Sequence, residues 1–414
     1  MLRQLQLRRL RAVVAHARRH VPFYQDAWQR AGVSERSLRS LDDLRRFPIP
    51  DRQAIESDPE AIVSREHLAR YRAGSAFIRR SGGSSGGPQL EVHADPSSWR
   101  RLDAFYYRAF VALGYRPWKE VAYYWSAPFK KRLHERLGFM PKLRVPAEAG
   151  LREQLSILSA HPGLWWYYHP SALFALARKL PSQLRAAKPV RVISHAELLP
   201  GAMRRAIERV LGQPVYDQYG TSEFNRMAWQ CLEHRDYHVD ADSIILEVVD
   251  EANQPVRPGE VGRALVTGLM NRMMPLIRYE LGDLLVPSDR TCDCGRRLPM
   301  ISSIEGRVRD VFKLPGGGTR TPREVMEPFA DIEGIDLFRV TQTTKSSARL
   351  ELETEVADPA ALTESCRRRF APICPGLDLD VQIVDALNKQ PTGKCTMVQS
   401  QVPLDGGKGP SFRS

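Results

Sequence analysis

The sequence predicts an α/β protein with a large N-terminal domain and a small α+β C-terminal domain. Two observations carry this prediction. Between residues 96 and about 245, helical stretches alternate with short apolar runs such as 190–194 and 215–218, and strands that alternate with helices imply a sheet flanked by helices on both faces. Near the C-terminus, strict alternation of apolar and polar residues at 349–353, followed by a helical stretch and a second alternating run, indicates a separate small domain.

The chain begins with a predicted amphipathic helix. Its first 25 residues contain arginines but no acidic residue, a composition that mitochondrial transit peptides share. The spacing of the apolar residues favours a helix docked on the folded protein over a cleaved segment. These residues recur at intervals of three and four, at Leu7, Leu10, Val14, Ala17 and Val21.

Domain boundaries follow from changes in the residue pattern. Residues 243–286 are β-rich, with a Pro-Gly turn at 258–259, and predict a β subdomain within a large domain that spans 1–305. The small domain then covers 306–405. The glycine-rich stretch 406–414 has too little apolar surface to bury and is predicted to be a disordered tail.

The net charge is the most unusual property of the composition. Among 414 residues, 61 are Lys or Arg and 48 are Asp or Glu, which gives a net charge of +13, and a hydrophobic fraction of 43% is that of a globular protein. Residues 1–80 hold 17 arginines and nine acids. Such a balance points to a polyanionic partner: nucleic acid, a membrane surface or a phosphate-rich ligand. The sequence contains no apolar run of the roughly 18 residues that a membrane-spanning helix needs.

Six cysteines are too few for a disulfide scaffold in a chain of this length. Three of them are scattered singly, whereas Cys231, Cys292 and Cys294 fall near histidines. This placement favours metal binding over disulfides and predicts a reducing, cytoplasmic location.

A glycine- and serine-rich loop is the first candidate site. Residues 81–88 read Ser-Gly-Gly-Ser-Ser-Gly-Gly-Pro and follow an apolar run directly. Glycines let backbone N–H groups converge on an anion and serine hydroxyls add donors, so such a loop can wrap phosphates. It lacks the Gly-Lys-Ser/Thr ending of a Walker A loop, and a flexible linker would have the same composition. Arg79 and Arg80, immediately before it, could supply positive charge or be solvated.

Four further segments follow this loop in order. They are Tyr-Gly-Thr-Ser-Glu at 219–223, Arg-Tyr-Glu-Leu-Gly-Asp at 278–283, Ile-Glu-Gly-Arg-Val-Arg-Asp at 304–310 and Pro-Thr-Gly-Lys at 391–394. With these segments the chain resembles the phenylacetate-CoA ligase branch of the adenylate-forming (acyl-CoA synthetase) superfamily, together with the coenzyme F390 synthetase-like proteins. The Val-Pro-Phe-Tyr sequence at 21–24 is also similar to this branch, so the resemblance covers nearly the whole chain.

The resemblance implies that the loop at 81–88 binds the β- and γ-phosphates of ATP. Family members often have a lysine where this chain has Gly87, a departure that puts more weight on Arg79 or Arg80. The implied contacts are Ser81, Gly83, Ser84, Ser85 and Gly86.

The segment 219–223 is implied to bind the nucleotide as well. Tyr219 would stack on adenine, next to Gly220 and Thr221. Ser222 would contact the α-phosphate, and Glu223 would bind Mg²⁺, a hard cation that prefers carboxylate oxygen. A strand-to-loop turn with a surface glutamate is the structural alternative.

Residues elsewhere are implied to complete the site. Glu197 belongs to a segment that matches one near the adenine, Asp283 would accept from both ribose hydroxyls, and Arg307 would reach the ribose or the phosphates. Lys394 would neutralise charge on the pentacoordinate α-phosphorus in one pose and withdraw in another; a solvated lysine is the alternative. The small domain is therefore predicted to be mobile and to rotate about Arg309, where the family commonly has Asp or Lys.

A zinc site is predicted from the Cys-x-Cys-Gly sequence at 292–295, which presents the thiolates of Cys292 and Cys294. Cys231 and one histidine would complete a tetrahedral set. The family pattern favours His238 as that histidine, with His234 as the alternate. Such a set leaves no open position for water, so the zinc would be structural. Reduced thiols without a metal are the alternative.

The resemblance implies that the protein activates a carboxylic acid as an acyl-adenylate and passes the acyl group to the thiol of CoA. ATP, Mg²⁺, CoA and a structural Zn²⁺ would be its cofactors. Aromatic runs at 105–107, 123–125 and 164–171 favour an aromatic acid. The alternatives are transfer to an amine or to an acyl carrier protein thiol, and an inactive basic protein that binds nucleic acid or membrane. Because the catalytic residues are present, no nucleic-acid or membrane partner is predicted; a homodimer is left open.

Overall fold

The computed structural model describes residues 1–74, 76–80, 90–127, 131, 133–233 and 235–403. Helices alternate with strands in these residues, which confirms the predicted α/β class. Among them, no helix has the length and apolar character needed to cross a membrane. The helices are α1 (Leu2–His20), α2 (Pro22–Arg30), α3 (Arg52–Ser57), α4 (Leu68–Arg72), α5 (Pro96–Ala112), α6 (Leu133–Arg136), α7 (Leu151–Ser159), α8 (Pro170–Lys179), α9 (Pro181–Ala186), α10 (Gly201–Leu211), α11 (Pro322–Ala330) and α12 (Pro359–Phe370).

The strands are short, as is usual for sheets flanked by helices. They are β1 (Phe77–Arg80), β2 (Glu91–Ala94), β3 (Val121–Trp125), β4 (Lys142–Pro146), β5 (Trp165–Tyr168), β6 (Arg191–His195), β7 (Val215–Thr221), β8 (Asn225–Gln230), β9 (Tyr237–Val239), β10 (Ile244–Val249), β11 (Gly262–Gly268), β12 (Tyr279–Ser288), β13 (Met300–Arg307), β14 (Phe312–Lys313), β15 (Thr319–Arg320), β16 (Leu337–Gln342), β17 (Ser347–Glu353), β18 (Asp378–Ile383) and β19 (Val398–Ser400).

Two compact units make up the chain, and neither is continuous in sequence. The predicted division into a large domain at 1–305 and a small domain at 306–405 stays a prediction. The first unit consists of Met1–Leu113, Tyr219–Gly282 and Pro287–Ser302, and the second of Gly114–Gln218, Asp283–Val286 and the chain from Ser303 onward.

The N-terminal helices of the first unit pack through an apolar face, as the sequence predicts. Leu10, Val14 and Ala17 on α1 are completely buried. At the start of α2, the hydroxyl of Tyr24 donates to the carbonyl of Pro275 at 3.0 Å and accepts from the N–H of Ile277 at 3.1 Å. The hydrogen bonds of this one side chain tie the helical segment to a loop that follows it by some 250 residues.

Antiparallel strand pairs form the sheet regions of the first unit. Strands β10 and β11 pair from Ile244 with Gly268 to Val249 with Arg263. Strand β9 pairs with β8 on one side and with the beginning of β13 on the other, where Met300 lies opposite His238. Pairing of β9 with β13 is what brings His238 towards the segment just before β13.

Five parallel strands form the sheet of the second unit, in the order β4, β3, β5, β6, β7. Parallel sheets are covered on both faces, so their strands read as continuous apolar or aromatic runs. Strand β5, Trp-Trp-Tyr-Tyr, is buried at all four positions. One face packs on an apolar cluster that includes Leu173 of α8 and Met203 of α10, both fully buried.

A second sheet in this unit has the strand order β18-β17-β16-β19. The alternation seen in the sequence at 349–353 corresponds to β17, where Leu350 and Leu352 are fully buried and pair with Val340 and Phe338 of β16. Helix α11 begins at a capping box in which Thr321 accepts from the Glu324 N–H and Glu324 accepts from the Thr321 N–H.

Candidate active site

The carboxyl ends of the parallel strands in the second unit gather the candidate catalytic residues. Because parallel strands run in one direction, their last residues meet at a single edge of the sheet, which is where α/β proteins bind ligands. Tyr124 lies near the end of β3, His169 follows β5, His195 ends β6 and Gln218 lies on β7. All four side chains are buried.

Lys394 is held at this edge by the turn that precedes it. Gly393 has φ of +80°, and a Cβ at this position would lie 2.4 Å from the Cβ of Ala147 and 3.2 Å from the ring of Tyr124. The Tyr124 hydroxyl donates to the Gly393 carbonyl at 3.4 Å. Only glycine fits this close approach, so the Pro-Thr-Gly turn predicted from the sequence places the lysine next to the end of β3.

Glu197 anchors the other side of the same loop. Its Oε1 accepts from the N–H of Cys395 at 2.7 Å, and its Oε2 accepts from the N–H of Ser171, in the first turn of α8, at 2.9 Å. Burial raises the pKa of the Glu197 carboxyl. The implied role near the adenine stays a prediction. In the structure, the bond from the Cys395 N–H to Glu197 positions the neighbouring Lys394, a role that the sequence did not predict.

Two histidines face the lysine loop and are held neutral. Burial, together with the positive charge of Lys394, lowers the pKa of His169 to about 3. Burial also lowers the pKa of His195 well below its usual range. The two rings lie 4.9 Å apart, and Nδ1 of His169 is 3.8 Å from Oε1 of Glu197. His169 carried no sequence signal beyond its position after a strand.

Asp283 and Arg307 form an ion pair within the second unit. The Nε of Arg307 lies 2.8 Å from Oδ1 of Asp283, whose side chain is 7% exposed, whereas that of Arg307 is 43% exposed. Asp283 belongs to β12 and Arg307 ends β13. The structure therefore brings together the two residues implied to reach the ribose, and each retains the capacity for further hydrogen bonds.

The segment 219–223 forms the end of β7 and the turn to β8 in the first unit. A Cβ on Gly220 would lie 2.5 Å from the carbonyl oxygen of Asn225 and 2.9 Å from the Cα of Arg226. Since backbone atoms cannot yield, glycine is required at this position. The Thr221 hydroxyl accepts from the N–H of Phe224 at 3.3 Å. Tyr219 is buried, and Ser222 and Glu223 are partly exposed beside it.

The predicted zinc ligands of the first unit come together. Sγ of Cys231 lies 3.4 Å from Sγ of Cys292, and Sγ of Cys294 lies 3.4 Å from Nε2 of His238. All four donor atoms lie within 4.8 Å of one another. Donors bound to one tetrahedral zinc at about 2.0–2.3 Å are separated by roughly 3.5 Å, so the set fits this metal. His234, the alternate ligand, lies outside the described residues.

The residues implied to bind the β- and γ-phosphates of ATP belong to the loop at 81–88. Ser81, Gly83, Ser84, Ser85 and Gly86 lie outside the described residues, and their roles stay predictions. Just before them, the guanidinium of Arg79 lies over the ring of Trp99 at 4.6 Å from its centroid, a cation–π contact.

Comparison with models of known protein families finds no match. Individual proteins are similar over most of the chain. A phenylacetate-coenzyme A ligase from Thermus thermophilus is 28% identical over 375 residues, covering 86% of this chain and 82% of the relative. A phenylacetate-coenzyme A ligase from Escherichia coli is 30% identical over 335 residues, covering 76% of this chain and 73% of the relative.

Solved structures show the same fold. A 2-hydroxyisobutyryl-CoA ligase in the postadenylation state, in complex with 2-HIB-AMP, superposes with a TM-score of 0.78 at 21% identity, covering 96% of this chain and 89% of that chain. An anthranilate CoA ligase in complex with anthranoyl-AMP gives a TM-score of 0.61 at 16% identity, covering 77% and 65% of the two chains.

Proposed function

The chain belongs to the phenylacetate-CoA ligase family of adenylate-forming enzymes, and we propose that it activates a carboxylic acid with ATP and transfers the acyl group to CoA. One observation carries the mechanism. Lys394 is held at the carboxyl edge of the parallel strands by Gly393 on one side and by the Cys395–Glu197 hydrogen bond on the other. A positioned ammonium at this edge is suited to phosphoryl chemistry.

In the first step, a carboxylate oxygen of the acid attacks the α-phosphorus of ATP. The new P–O bond forms as the bond to pyrophosphate breaks, and negative charge develops on the α-phosphoryl oxygens and on the leaving group. The ammonium of Lys394 offsets this charge. Because His169 and His195 are neutral, they add no positive charge that would draw the phosphate away from the lysine.

In the second step, the sulfur of CoA attacks the carbonyl carbon of the acyl-adenylate. The thiol proton passes to solvent, the bond between the carbonyl carbon and the AMP oxygen breaks, and AMP leaves. Lys394 has no proposed role in this step, and its predicted withdrawal would belong to it.

Each unit contains residues that are implied to contact the nucleotide or its metal. Asp283 would accept from the ribose hydroxyls, with Arg307 beside it. In the first unit, Tyr219, Gly220, Thr221 and Ser222 would contact the adenine and the α-phosphate. Glu223 would bind Mg²⁺, which supplies positive charge to the phosphates when it is bound.

Cys231, His238, Cys292 and Cys294 would hold one structural zinc. With four protein ligands, the ion would have no open position and would cross-link β9 to the segment before β13. All six cysteines lie in the described residues as free thiols, and this supports the proposal of a reducing, cytoplasmic location.

Pyrophosphate exchange tests the proposed function. The full chain is incubated with ATP, labelled pyrophosphate, Mg²⁺ and a panel of carboxylic acids, and acid-dependent label in ATP is measured. We expect exchange with at least one acid, and a fall of about 100- to 1,000-fold in Lys394→Ala. Adding CoA, a holo-carrier protein or an amine to the active acid then identifies the acceptor. Exchange that is equal in wild type and Lys394→Ala would contradict the mechanism.

A further inference from the structure

The side-chain amide of Gln218 is buried, and no described residue pairs with it. Its side chain is 4% exposed, and neither Oε1 nor Nε2 has a hydrogen-bond partner among the described residues. Buried polar atoms in folded proteins are nearly always paired, and an exception calls for a ligand, a water molecule or a function. The position of Gln218, on β7 at the carboxyl edge of the parallel strands, makes a bound substrate the natural partner.

His195 supplies a second unpaired polar atom beside it. His195 of β6 pairs with Gln218 of β7 in the parallel register, so the two side chains lie on the same face of adjacent strands, whose backbones are about 4.8 Å apart. The imidazole is hydrogen-bonded to the backbone of Tyr167, and Nε2 has no partner among the described residues. Since the ring is neutral and its proton is used towards Tyr167, Nε2 presents a bare lone pair.

Aromatic rings continue the same face. The register pairs Tyr123 with Tyr167, Tyr167 with Ile193, and Ile193 with Tyr216, which places these side chains on the face of His195 and Gln218. The rings of Tyr123 and Tyr167 lie 5.0 Å apart, and Tyr167 stacks on His195 at 3.6 Å with an angle of 11° between the planes. A face of stacked rings suits a flat ligand.

Lys394 lies within electrostatic reach of the face that carries His195 and Gln218. The positive charge of this lysine acts directly on His195 and on His169, so the imidazole of His195 lies within electrostatic reach of the group implied to act at the reacting phosphate. A substrate whose carboxylate meets the α-phosphate near Lys394 would therefore extend towards His195 and Gln218.

The geometry points to an aromatic acid that carries a hydroxyl or amino group in addition to its carboxylate. A hydroxyl would donate its hydrogen to Nε2 of His195 and accept from the Nε2–H of Gln218, and an amino group would donate to Nε2 of His195 and to Oε1 of Gln218. This inference rests on the proposed function and names the substrate class of the same site. A site built to bind such a group discriminates strongly against the analogue that lacks it, because the buried polar atoms are then left unpaired.

Matched pairs of acids test the inference. The value of kcat/KM in pyrophosphate exchange is measured for benzoate and phenylacetate and for their ring-hydroxylated and ring-aminated derivatives. We expect one substituted acid to exceed its unsubstituted parent by at least about 100-fold. Equal or better activity with the unsubstituted parents would overturn the inference while leaving the proposed function intact.

Variants at position 218 link the preference to the side chain. Gln218→Met, which is close in volume, and Gln218→Leu are expected to lower the ratio of substituted to unsubstituted acid to about tenfold or less. Gln183→Leu, at an exposed position of α9, is the matched control and should leave the ratio unchanged. A ratio that stays at the wild-type value in a folded Gln218→Met protein would also overturn the inference.

Binding of the acids is measured separately from catalysis. The same acids are added to the full chain in a thermal-shift titration, so an enzyme without exchange activity still reports which acids it binds. Absence of exchange with every acid would contradict the proposed function, whereas stronger stabilisation by the unsubstituted parents would contradict the inference itself. Stronger stabilisation by one hydroxylated or aminated acid, lost in Gln218→Met, would support it.

Discussion

The N–H of Cys395 donates a hydrogen bond of 2.7 Å to Oε1 of Glu197, which lies 198 residues earlier in the chain. The residue between this bond and Gly393 is Lys394, so the lysine loop is fixed at both ends within the second unit. The other carboxylate oxygen of Glu197 is bound to the Ser171 N–H at 2.9 Å. Glu197 is therefore a positioning residue for the lysine, and its substitution separates positioning from chemistry.

Glu197→Gln should slow adenylation without removing the catalytic group. Glutamine retains one acceptor oxygen and brings an NH₂ group, which cannot accept from the second N–H. Loss of one hydrogen bond to a charged acceptor corresponds to about 10- to 100-fold in rate. Pyrophosphate exchange measures this loss, whereas thioester formation from synthetic acyl-AMP and CoA should stay within about twofold. An equal loss in both half-reactions would argue against a positioning role; Glu153→Gln, at an exposed site on α7, serves as the control.

Gly393→Ala should displace the loop from the other side. The added Cβ would lie 2.4 Å from the Cβ of Ala147, at a φ of +80° that alanine rarely adopts. We expect adenylation to fall by about 100-fold, because strain of about 1–3 kcal/mol adds to the steric clash. Gly316→Ala adds a methyl group where nothing lies within 4 Å and should leave the rate unchanged. Wild-type exchange in Gly393→Ala would show that Lys394 acts from a different position.

Asp283→Ala should weaken ATP binding more than it slows catalysis. The carboxylate, paired with Arg307 at 2.8 Å, is implied to accept from the ribose, and charge-assisted hydrogen bonds contribute about 1.5–3 kcal/mol. We expect KM for ATP to rise by about 10- to 100-fold while kcat falls less. Asp378→Ala, at an exposed position of β18, provides the comparison. A KM for ATP equal to that of wild type would rule out the ribose contact.

The buried histidines should make the protein less stable at acidic pH. In the folded state the pKa of His169 is about 3, because of burial and the charge of Lys394, whereas an unfolded histidine titrates near pH 6.5. The unfolded state therefore binds more protons below about pH 6.5, and stability falls from there towards pH 3. Each such histidine should cost about 2 kcal/mol between pH 7 and pH 5.

Urea unfolding at pH 7, 6 and 5 measures this dependence. His169→Asn should remove about 2 kcal/mol of the loss that wild type shows between pH 7 and pH 5. His161→Asn, at an exposed site, should show the wild-type dependence. An identical pH dependence for His169→Asn and wild type would mean that His169 binds protons equally in the folded and unfolded states.

Cys294→Ser should release the proposed zinc. Elemental analysis is expected to find one zinc per chain in wild type and markedly less in the variant, with a lower Tm in thermal unfolding, because the metal cross-links two strands. Cys366→Ser, at a buried position of α12 that is not one of the four cluster residues, should keep the zinc content. If wild-type protein is purified without zinc and gains no stability when zinc is added, the cluster is a set of reduced thiols without a metal.

Local patterns explain what the sequence predicted correctly. The spacing of Leu10, Val14 and Ala17 depends only on the period of a helix, and α1 forms as expected. The strand-like runs at 190–194 and 215–218 appear as β6, shifted by one residue, and as β7, which continues to Thr221. In a motif segment such as Pro-Thr-Gly-Lys, the residues that form the turn are adjacent in sequence, so the turn can be predicted from the segment itself.

Long-range contacts explain what the sequence could not predict. The two partners of Glu197 are set by the meeting of β6, α8 and the loop after Gly393, and no local pattern encodes this meeting. Likewise, the unpaired amide of Gln218 is visible only when every neighbouring donor and acceptor is known. The local Cys-x-Cys pair indicated the Cys/His cluster, but the choice of His238 came from the resemblance.

The carboxylate of Glu197 accepts from two backbone N–H groups, and this affects how the proposed adenylation and thioester-forming poses would interchange. If the loop that carries Lys394 withdraws as predicted, Glu197 would keep its bond to Ser171 and lose the one to Cys395. Burial already raises the pKa of this carboxyl, and protonation would remove the cost of the uncompensated charge that the lost bond leaves. Exchange between the two predicted poses would in this way be linked to protonation of Glu197, a residue that holds the loop through a backbone N–H group.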